Sequence, residues 1–447
     1  MATGRWTVRA GKGWAQPMLY GEEAWRKMRQ MTPRRFLENG FFRREIFAAL
    51  LAFTTASGFA AAAEAKRSFP ADPIDAPAYT LPDPLLSATG QRLTTAEQWT
   101  QGRRAEVLEL FREHVYGRVP TTAYQQSFKV VKEDRQAMNG AATLKQVAIT
   151  LSAGAKSITI NLTLFTPNQA TKPVPAFLLI CNRSIDNIDP TREKKSEFWP
   201  AEEGIARGYA MAAFFNGDVA PDRKEAAHEG IHGVLQPQGN GTESWGVLAA
   251  WAWGASRCLD YLVTDAAIAR DQVAVIGHSR GGKTALWAAA EDRRFALACS
   301  NDSGCGGAAL HRHRTPKKET IAVINRSFPH WFNARFKTYN GREDALPVDQ
   351  HLLMTLMAPR AVAVGSAAAD LWADPRGEFL SVVHARPVFR LFGQDALGAS
   401  PEMPAINEAL HGEGAHYHIR EGKHNLTLVD WTHYWDFADR VFKRSGK

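Results

Sequence analysis

Residues 271–290 read DQVAVIGHSRGGKTALWAAA, and this stretch decides the fold. It runs from a β-branched strand, through Gly277-His278-Ser279-Arg280-Gly281, into a segment rich in helix-forming residues. This strand–turn–helix context is the one that the G-x-S-x-G pattern of a nucleophilic serine requires. The glycines are needed because flanking side chains would collide with so sharp a turn. The pattern predicts Ser279 as a nucleophile at a helix N-terminus, where backbone N–H groups face an oxyanion.

A serine hydroxyl needs a base that removes its proton, and the C-terminal region offers three histidines. His416 and His418 alternate along a predicted final strand, whereas His424 follows Gly422 in a loop before the helical segment 430–442. A base delivered by the loop after the last strand favours His424. A zinc site formed by the three histidines is the competing interpretation, but no H-E-x-x-H or comparable spacing supports it.

The acid that orients the base has several candidates. The strand predicted over Ala361–Val364 is followed by Asp370, Asp374 and Glu378, and the preceding strand ends near Asp302. Any of these carboxylates could hold the histidine tautomer and stabilise the imidazolium that forms. The spacing of the residues leaves the choice open.

Strand-like runs extend along most of the chain, with helical segments between the later ones. The predicted strands are Leu144–Leu151, Ser157–Phe165, Val174–Cys181, Ala210–Phe215, Val273–Ile276, Leu297–Ser300 and Ala361–Val364. Early strands joined by short turns, then strands alternating with helices, predict a mostly parallel sheet covered on both faces. We find no internal repeat and expect one domain over residues 66–447. With the order serine, acid, histidine, this predicts the α/β-hydrolase fold, a three-layer αβα sandwich.

Residues 1–65 are predicted to be a leader. The small, apolar run Ile46–Ala63 follows a basic stretch and ends in Ala63-Glu64-Ala65, which is typical of a secretory signal cleaved near Ala65. Met31 is a candidate for the true start, and the arginine pair 43–44 permits twin-arginine export. An uncleaved membrane anchor is the alternative, because the run is near the lower length limit for a span. We expect a periplasmic or secreted protein without stable membrane insertion.

The net charge of +8 lies mainly in that leader, where ten Lys/Arg and five Asp/Glu leave only +3 for the rest of the chain. Because no basic stripe with interleaved aromatics is found, nucleic-acid binding is not expected. The four cysteines lie in or beside apolar runs and lack C-x-x-C spacing, so their pairing cannot be deduced.

Several further motifs occur in one order along the C-terminal two-thirds of the predicted domain. They are Gly277-x-Ser279-Arg280-x-Gly282-Lys283, Asp302-Ser-Gly-x-Gly-Gly307, Phe328-Pro-His-Trp-Phe332, Leu346-Pro-x-Asp-x-His-Leu-Leu353, Ala358-Pro-Arg360, Trp372 and Gly422-x-His424. Together they resemble the glucuronoyl esterases of carbohydrate esterase family 15, in their bacterial form. The Ser-Arg-x-Gly-Lys element is far more specific than G-x-S-x-G, although family members often have Cys in place of His278.

The resemblance implies roles for residues around the serine. The acid would be Asp302, where the family often has Glu, or an acid after the later strand such as Glu378. Arg280 would face the oxyanion with its backbone N–H and its guanidinium, and Lys283 would bind sugar hydroxyls. Trp372 would contact the uronate ring, and Glu319 matches, by position, an acidic residue directed at the sugar.

The implied reaction is hydrolysis of the ester between a (4-O-methyl)glucuronic acid branch of xylan and an alcohol such as one on lignin. Ser279 would form a glucuronoyl-enzyme, which water activated by His424 would hydrolyse. We expect no metal or organic cofactor and a monomeric enzyme. An acetyl xylan or other carbohydrate esterase is the alternative, and it would not need cationic residues at the mouth. The intact serine, base and glycines argue against a catalytically inactive binding protein.

Overall fold

A computed structural model describes residues 66–72, 78–226, 228–236, 241, 244–398 and 401–443 of the chain. They belong to a unit that spans Lys66–Lys447. The predicted leader, its start and its cleavage site lie outside the described residues. Among the residues described, no helix combines the length and the apolar character that crossing a bilayer requires.

A ten-stranded sheet forms the centre of the unit, in the order β1-β2-β3-β5-β4-β6-β7-β8-β10-β9. The strands are β1 (Gln125–Ala137), β2 (Ala142–Ala153), β3 (Lys156–Pro167), β4 (Val174–Cys181), β5 (Ala210–Phe215), β6 (Ile268–His278), β7 (Phe295–Asn301), β8 (Ala361–Ala367), β9 (Glu408–His411) and β10 (Ala415–Arg420). The first three neighbouring pairs in this order, from β1–β2 to β3–β5, are antiparallel. The next five pairs, from β5–β4 to β8–β10, are parallel. Strand β9 pairs antiparallel with β10 at the edge of the sheet. The carboxyl ends of β6, β7, β8 and β10 therefore meet at one edge of the sheet.

Helices cover both faces of the sheet. In the described part of the chain they are α1 (residues 96–116, with π-helical turns at Trp99–Arg103 and Arg112–Tyr116), α2 (Ala201–Ala206), α3 (Gly230–Leu235), α4 (Val247–Leu262), α5 (Arg280–Glu291), α6 (Ile321–Ser327), α7 (Gln350–Thr355), α8 (Pro375–Leu391) and α9 (Leu428–Val441). The buried strand β4 shows the two layers: Leu178 and Ile180 pack with the helices α4, α5 and α8, whereas Phe177 and Leu179 pack with α2 and α9. The predicted three-layer fold with a mostly parallel sheet is confirmed.

Among the elements that were not predicted from the sequence patterns, strand β1 and helix α8 are the longest. Strand β1 is polar along most of its length and largely exposed, so it lacks the apolar alternation that indicates a strand. Helix α8 contains Pro375 and Pro387, which suggest breaks in a helix. Pro375 lies in the first turn, where its missing N–H costs nothing, and the side chain of Asp374 caps the helix. Pro387 removes one backbone hydrogen bond inside the helix. The helix persists because its neighbours Val388 and Phe389 are buried in the core.

Candidate active site

The predicted nucleophile lies on a strained turn between β6 and α5. Ser279 has φ 57° and ψ −125°, a backbone conformation that non-glycine residues rarely adopt. Its N–H donates to the carbonyl of Asn301 at 2.8 Å, which ties the turn to the end of β7. Helix α5 begins at Arg280, so unpaired N–H groups of its first turn surround the serine. Such strain at a helix start is typical of a functional site.

The glycines around Ser279 are needed for close backbone contacts. A Cβ on Gly277 would lie 2.1 Å from the carbonyl oxygen of Gly281, and one on Gly282 would lie 3.0 Å from Cβ of Ser303. The contact at Gly277 is with backbone, which cannot rotate away. The turn therefore requires glycine at this position, as the sequence predicts.

We expect Gly277→Ala to destabilise the protein by about 3 kcal/mol, at the upper end of the cost of overpacking, because the helix start must move. Thermal or urea unfolding measures this change. Gly102→Ala is the matched control, since a Cβ there meets nothing within 4 Å and should leave stability unchanged or slightly higher. Equal stability of the two variants would show that the turn tolerates the extra carbon.

The predicted base makes a short contact with a carboxylate. His424 Nδ1 lies 2.6 Å from Oδ2 of Asp370, a residue in the loop after β8. An ionised carboxylate only accepts, so Nδ1 carries the proton and Nε2 is free to act as a base. The ring is 42% exposed and its carboxylate partner 7%. Asp370, one of the three candidates after the strand 361–364, is thus the partner of His424.

Asp302, the acid that the resemblance favoured, has other partners in the structure. Its Oδ1 accepts from the N–H of Ala367 at 2.6 Å, and its Oδ2 accepts from Asn425 N at 3.3 Å and from Arg420 at 3.4 Å. Burial, together with the neighbouring carboxylates, raises its pKa well above the usual range. In the structure Asp302 holds the loop that carries the base, and the carboxylate in hydrogen-bond contact with His424 is that of Asp370, not that of Asp302 as the resemblance implied.

Glu378, the alternative acid, is also directed away from His424. It is buried in α8 and accepts hydrogen bonds from the N–H groups of Ser303 and Gly304 and from the hydroxyl of Ser366. Burial raises its pKa to about 7. Its role is to bind the loop after β7 to the start of α8.

His278, the residue before the nucleophile, lies against the ring of the base His424. The ring centroids of His278 and His424 are 4.3 Å apart, so the base lies beside the serine turn. His278 is buried, which lowers its pKa well below the usual range and keeps the ring neutral. Its Nδ1 donates to Oδ1 of Asn301 at 2.6 Å, and its Nε2 accepts from Arg183 at 3.1 Å. Arg183 also donates to Oδ1 of Asn425 at 2.8 Å, which links the serine turn to the base loop.

Arg280 is held at the mouth of the site. Its Nε lies 2.7 Å from Oδ2 of Asp222, and its Nη2 donates to the carbonyl of Asn182 at 3.2 Å. Oδ1 of Asp222 accepts from His330 Nε2 at 2.9 Å and from Trp331 Nε1 at 2.8 Å. The guanidinium, a third exposed, is therefore fixed next to the serine before a substrate arrives.

Lys283 lies below the mouth and not at its surface. Its Nζ donates to the carbonyls of Ser303 at 2.5 Å and Cys305 at 2.7 Å, and it pairs with Oε2 of Glu319 at 3.5 Å. Both ionised side chains are about 95% buried. The ammonium has no proton left for a sugar hydroxyl in this arrangement, so its first task is to hold Glu319.

Trp372 is the exposed member of this group. Its side chain is 52% exposed, and its carbonyl accepts from the N–H of Glu319 at 3.0 Å. Glu319 therefore joins two of the residues that the resemblance singles out: its carboxylate pairs with Lys283, and its backbone N–H binds the main chain of Trp372. An aromatic face open to solvent is suited to the C–H surface of a sugar.

Three polar residues of the site were missed in the sequence. Asp222 lies in a loop after β5 with no motif around it. Arg183 comes two residues after the end of β4 and Asn425 directly follows the base histidine, yet neither belongs to a catalytic pattern. The role of Arg183 and Asn425, which is to link the serine turn to the base loop, becomes visible only from their contact in the structure.

A mostly parallel sheet that presents a serine on this turn, with a histidine and an acid from later loops, is the arrangement of an α/β-hydrolase. The chain is a member of that class. The family within the class follows from comparison with known proteins.

A sequence model described as glucuronyl esterase, fungi, matches residues 149–393, more than half of the chain. The carbohydrate esterase MZ0003 of an unknown prokaryotic organism is 41% identical over 405 residues, which cover 83% of this chain and 92% of that protein. The chain belongs to the glucuronoyl esterase family, as its motifs indicated, and is a carboxylic ester hydrolase.

Two further relatives agree. The structure of a glucuronoyl esterase from Solibacter usitatus has a TM-score of 0.77 and 36% identity, covering 82% of this chain and 99% of that one. A 4-O-methyl-glucuronoyl methylesterase of Schizophyllum commune is 27% identical over 76% of this chain and 78% of its own length.

Proposed function

We propose that this chain is a serine esterase that hydrolyses esters of (4-O-methyl)glucuronic acid, with Ser279 as nucleophile and His424 as base. The observation that carries the proposal is the 2.6 Å contact of His424 with Asp370 beside the strained serine turn. The names of the Solibacter and Schizophyllum relatives support this class of ester.

The chemistry follows from the protonation states of the site. Nε2 of His424 takes the proton of Ser279 as the hydroxyl attacks the ester carbonyl, and Asp370 stabilises the resulting imidazolium. Helix N–H groups and the fixed guanidinium of Arg280 stabilise the oxyanion. His424 then protonates the departing alcohol, and water attacks the acyl-enzyme in the second half-reaction.

Recognition of the uronate is assigned to the side of the site with Trp372, Glu319 and Lys283. The buried ammonium pairs with Glu319, and the backbone N–H of Glu319 holds the main chain of Trp372. Lys283 thereby acts on the sugar through Glu319. We further propose that residues 1–65 are an export leader and that the mature monomer acts on xylan–lignin esters outside the cytoplasm.

Trp372→Ala is expected to raise KM for benzyl glucuronate roughly tenfold, which corresponds to about 1.4 kcal/mol of lost binding. The indole is half-exposed, so its removal costs contact with the sugar and little stability. Initial rates on benzyl glucuronate, benzyl galacturonate and 4-nitrophenyl acetate measure the effect.

The matched control is Val131→Ala, which removes an equally exposed apolar side chain from β1. It should leave all three rates unchanged. If Trp372→Ala slowed 4-nitrophenyl acetate as much as benzyl glucuronate, the indole would not recognise the sugar. Faster hydrolysis of acetyl esters by the unaltered chain would favour the alternative, a broader carbohydrate esterase.

A further inference from the structure

A cluster of histidines lies on the opposite side of β10 from Tyr417 and Ile419, between this strand and α9. One ring nitrogen from each of His416, His418 and His433 lies within 4.8 Å of those of the other two. His424 is not part of this group, since its ring nitrogen lies with Asp302 and Asp370. The zinc set considered from the sequence, which included His424, is therefore not the one that the fold assembles.

Two of the three rings face each other through nitrogen atoms. Nε2 of His416 lies 3.0 Å from Nδ1 of His418, and both side chains are buried. Two lone pairs repel at this distance, so either a proton or a cation must lie between them. Two nitrogens bound to one tetrahedral Zn²⁺ at about 2.0–2.1 Å are roughly 3.3 Å apart, close to the observed separation.

The second nitrogen of His418 is already fixed by a carboxylate. Nε2 of His418 lies 3.0 Å from Oδ1 of Asp430, so it carries the proton and leaves Nδ1 as a lone pair directed at His416. Asp430 is held in turn by Arg420 at 2.7 Å and by the N–H and hydroxyl of Thr427 at 2.8 Å. A histidine anchored by a carboxylate through its outer nitrogen is the usual support of a metal-binding imidazole.

We propose that His416, His418 and His433 bind a divalent transition-metal ion with a preference for imidazole ligands, of which Zn²⁺ is the representative. His433 is half-buried on α9, and its ring stacks on His418 with centroids 4.4 Å apart. Rotation of this side chain completes the third bond. A water molecule takes the fourth position from the side of the exposed His411, whose ring is parallel to that of His416 with centroids 6.2 Å apart.

The proposed ion would join β10 to α9, the two elements that flank the loop with the base. The loop runs from the end of β10 at Arg420 to the start of α9 at Leu428, and His424 lies within it. The site is thus structural: it stabilises the frame of the base loop without contacting the substrate. It is independent of the substrate class proposed above.

The test uses the full chain expressed without a polyhistidine tag, freed of metal by a chelator and titrated with Zn²⁺ by calorimetry. We expect one Zn²⁺ per chain and a higher Tm in its presence, because the ion binds the folded state. Co²⁺ should give the visible absorption of a tetrahedral nitrogen-coordinated ion. His433→Gln, the variant least able to disturb the fold, should lower the affinity for Zn²⁺ at least about tenfold.

Two variants provide controls. His384→Gln replaces an exposed histidine of α8 and should bind Zn²⁺ like the unaltered chain. His424→Gln should lose esterase activity and keep the metal, which separates this site from the catalytic one. Failure to bind Zn²⁺ at micromolar concentrations, an unchanged affinity in His433→Gln, or loss of the metal in His424→Gln would each overturn the proposal.

Discussion

Replacement of Ser279 by alanine is expected to lower kcat on benzyl glucuronate by at least ~10³-fold. The variant keeps the turn, the oxyanion donors and the base, but no atom remains to form the acyl-enzyme. Substrate binding should change little, so the loss should appear in kcat more than in KM. Steady-state kinetics on the purified variant measure both constants.

The matched control is Ser157→Ala, which removes an exposed hydroxyl from β3. Its rates should equal those of the unaltered chain. A Ser279→Ala variant that retained its full rate would remove the proposed nucleophile, and the assignment of His424 as its base would fail with it.

Asp370→Asn is expected to lower kcat by on the order of 10³–10⁴-fold, because an amide can hold the wrong histidine tautomer and cannot stabilise an imidazolium. The contact of 2.6 Å between His424 Nδ1 and Asp370 Oδ2 is the structural basis. The effect should be measured on benzyl glucuronate at several pH values, with the melting temperature as a check on folding.

Asp302→Asn is the comparison that decides between the two acids. The amide has nearly the same shape, and Asp302 binds Ala367, Asn425 and Arg420 while the base binds Asp370, so the loss in kcat should be less than tenfold. Its main effect should be on Tm, since Asp302 accepts from Ala367 and Asn425. A larger kinetic loss in Asp302→Asn than in Asp370→Asn would return the acid to the position that the sequence resemblance favoured.

The acid could not be chosen from the sequence because both candidates end parallel neighbouring strands. β7 and β8 place Asp302 and Asp370 at the same edge of the sheet, and a carboxylate oxygen of each lies within 4.8 Å of a ring nitrogen of His424. Sequence order and motif therefore fit either residue. The two acids differ in their hydrogen-bond partners. Asp302 is bound by Arg420 and Asn425, which are distant in the sequence, whereas Asp370 is left to bind His424.

The serine turn was predictable for the opposite reason. Its strain, its glycines and its flanking strand and helix are all local properties of residues 271–290. The positions of Lys283 and Arg280 follow from the local pattern, whereas the contacts at the ends of their long side chains do not. Their ends are set by Glu319 and Asp222, which come from loops 36 and 58 residues away along the chain. His433 was not predicted as a ligand because α9 alone brings it to β10.

All four cysteines lie among the described residues, each buried and unpaired. Burial raises the pKa of Cys181 to about 11, so its thiol stays protonated and unreactive in neutral solution. No disulfide links the four cysteines in the structure, so folding of the domain needs no oxidant. A thiol reductant should therefore leave the stability and the activity of the domain unchanged.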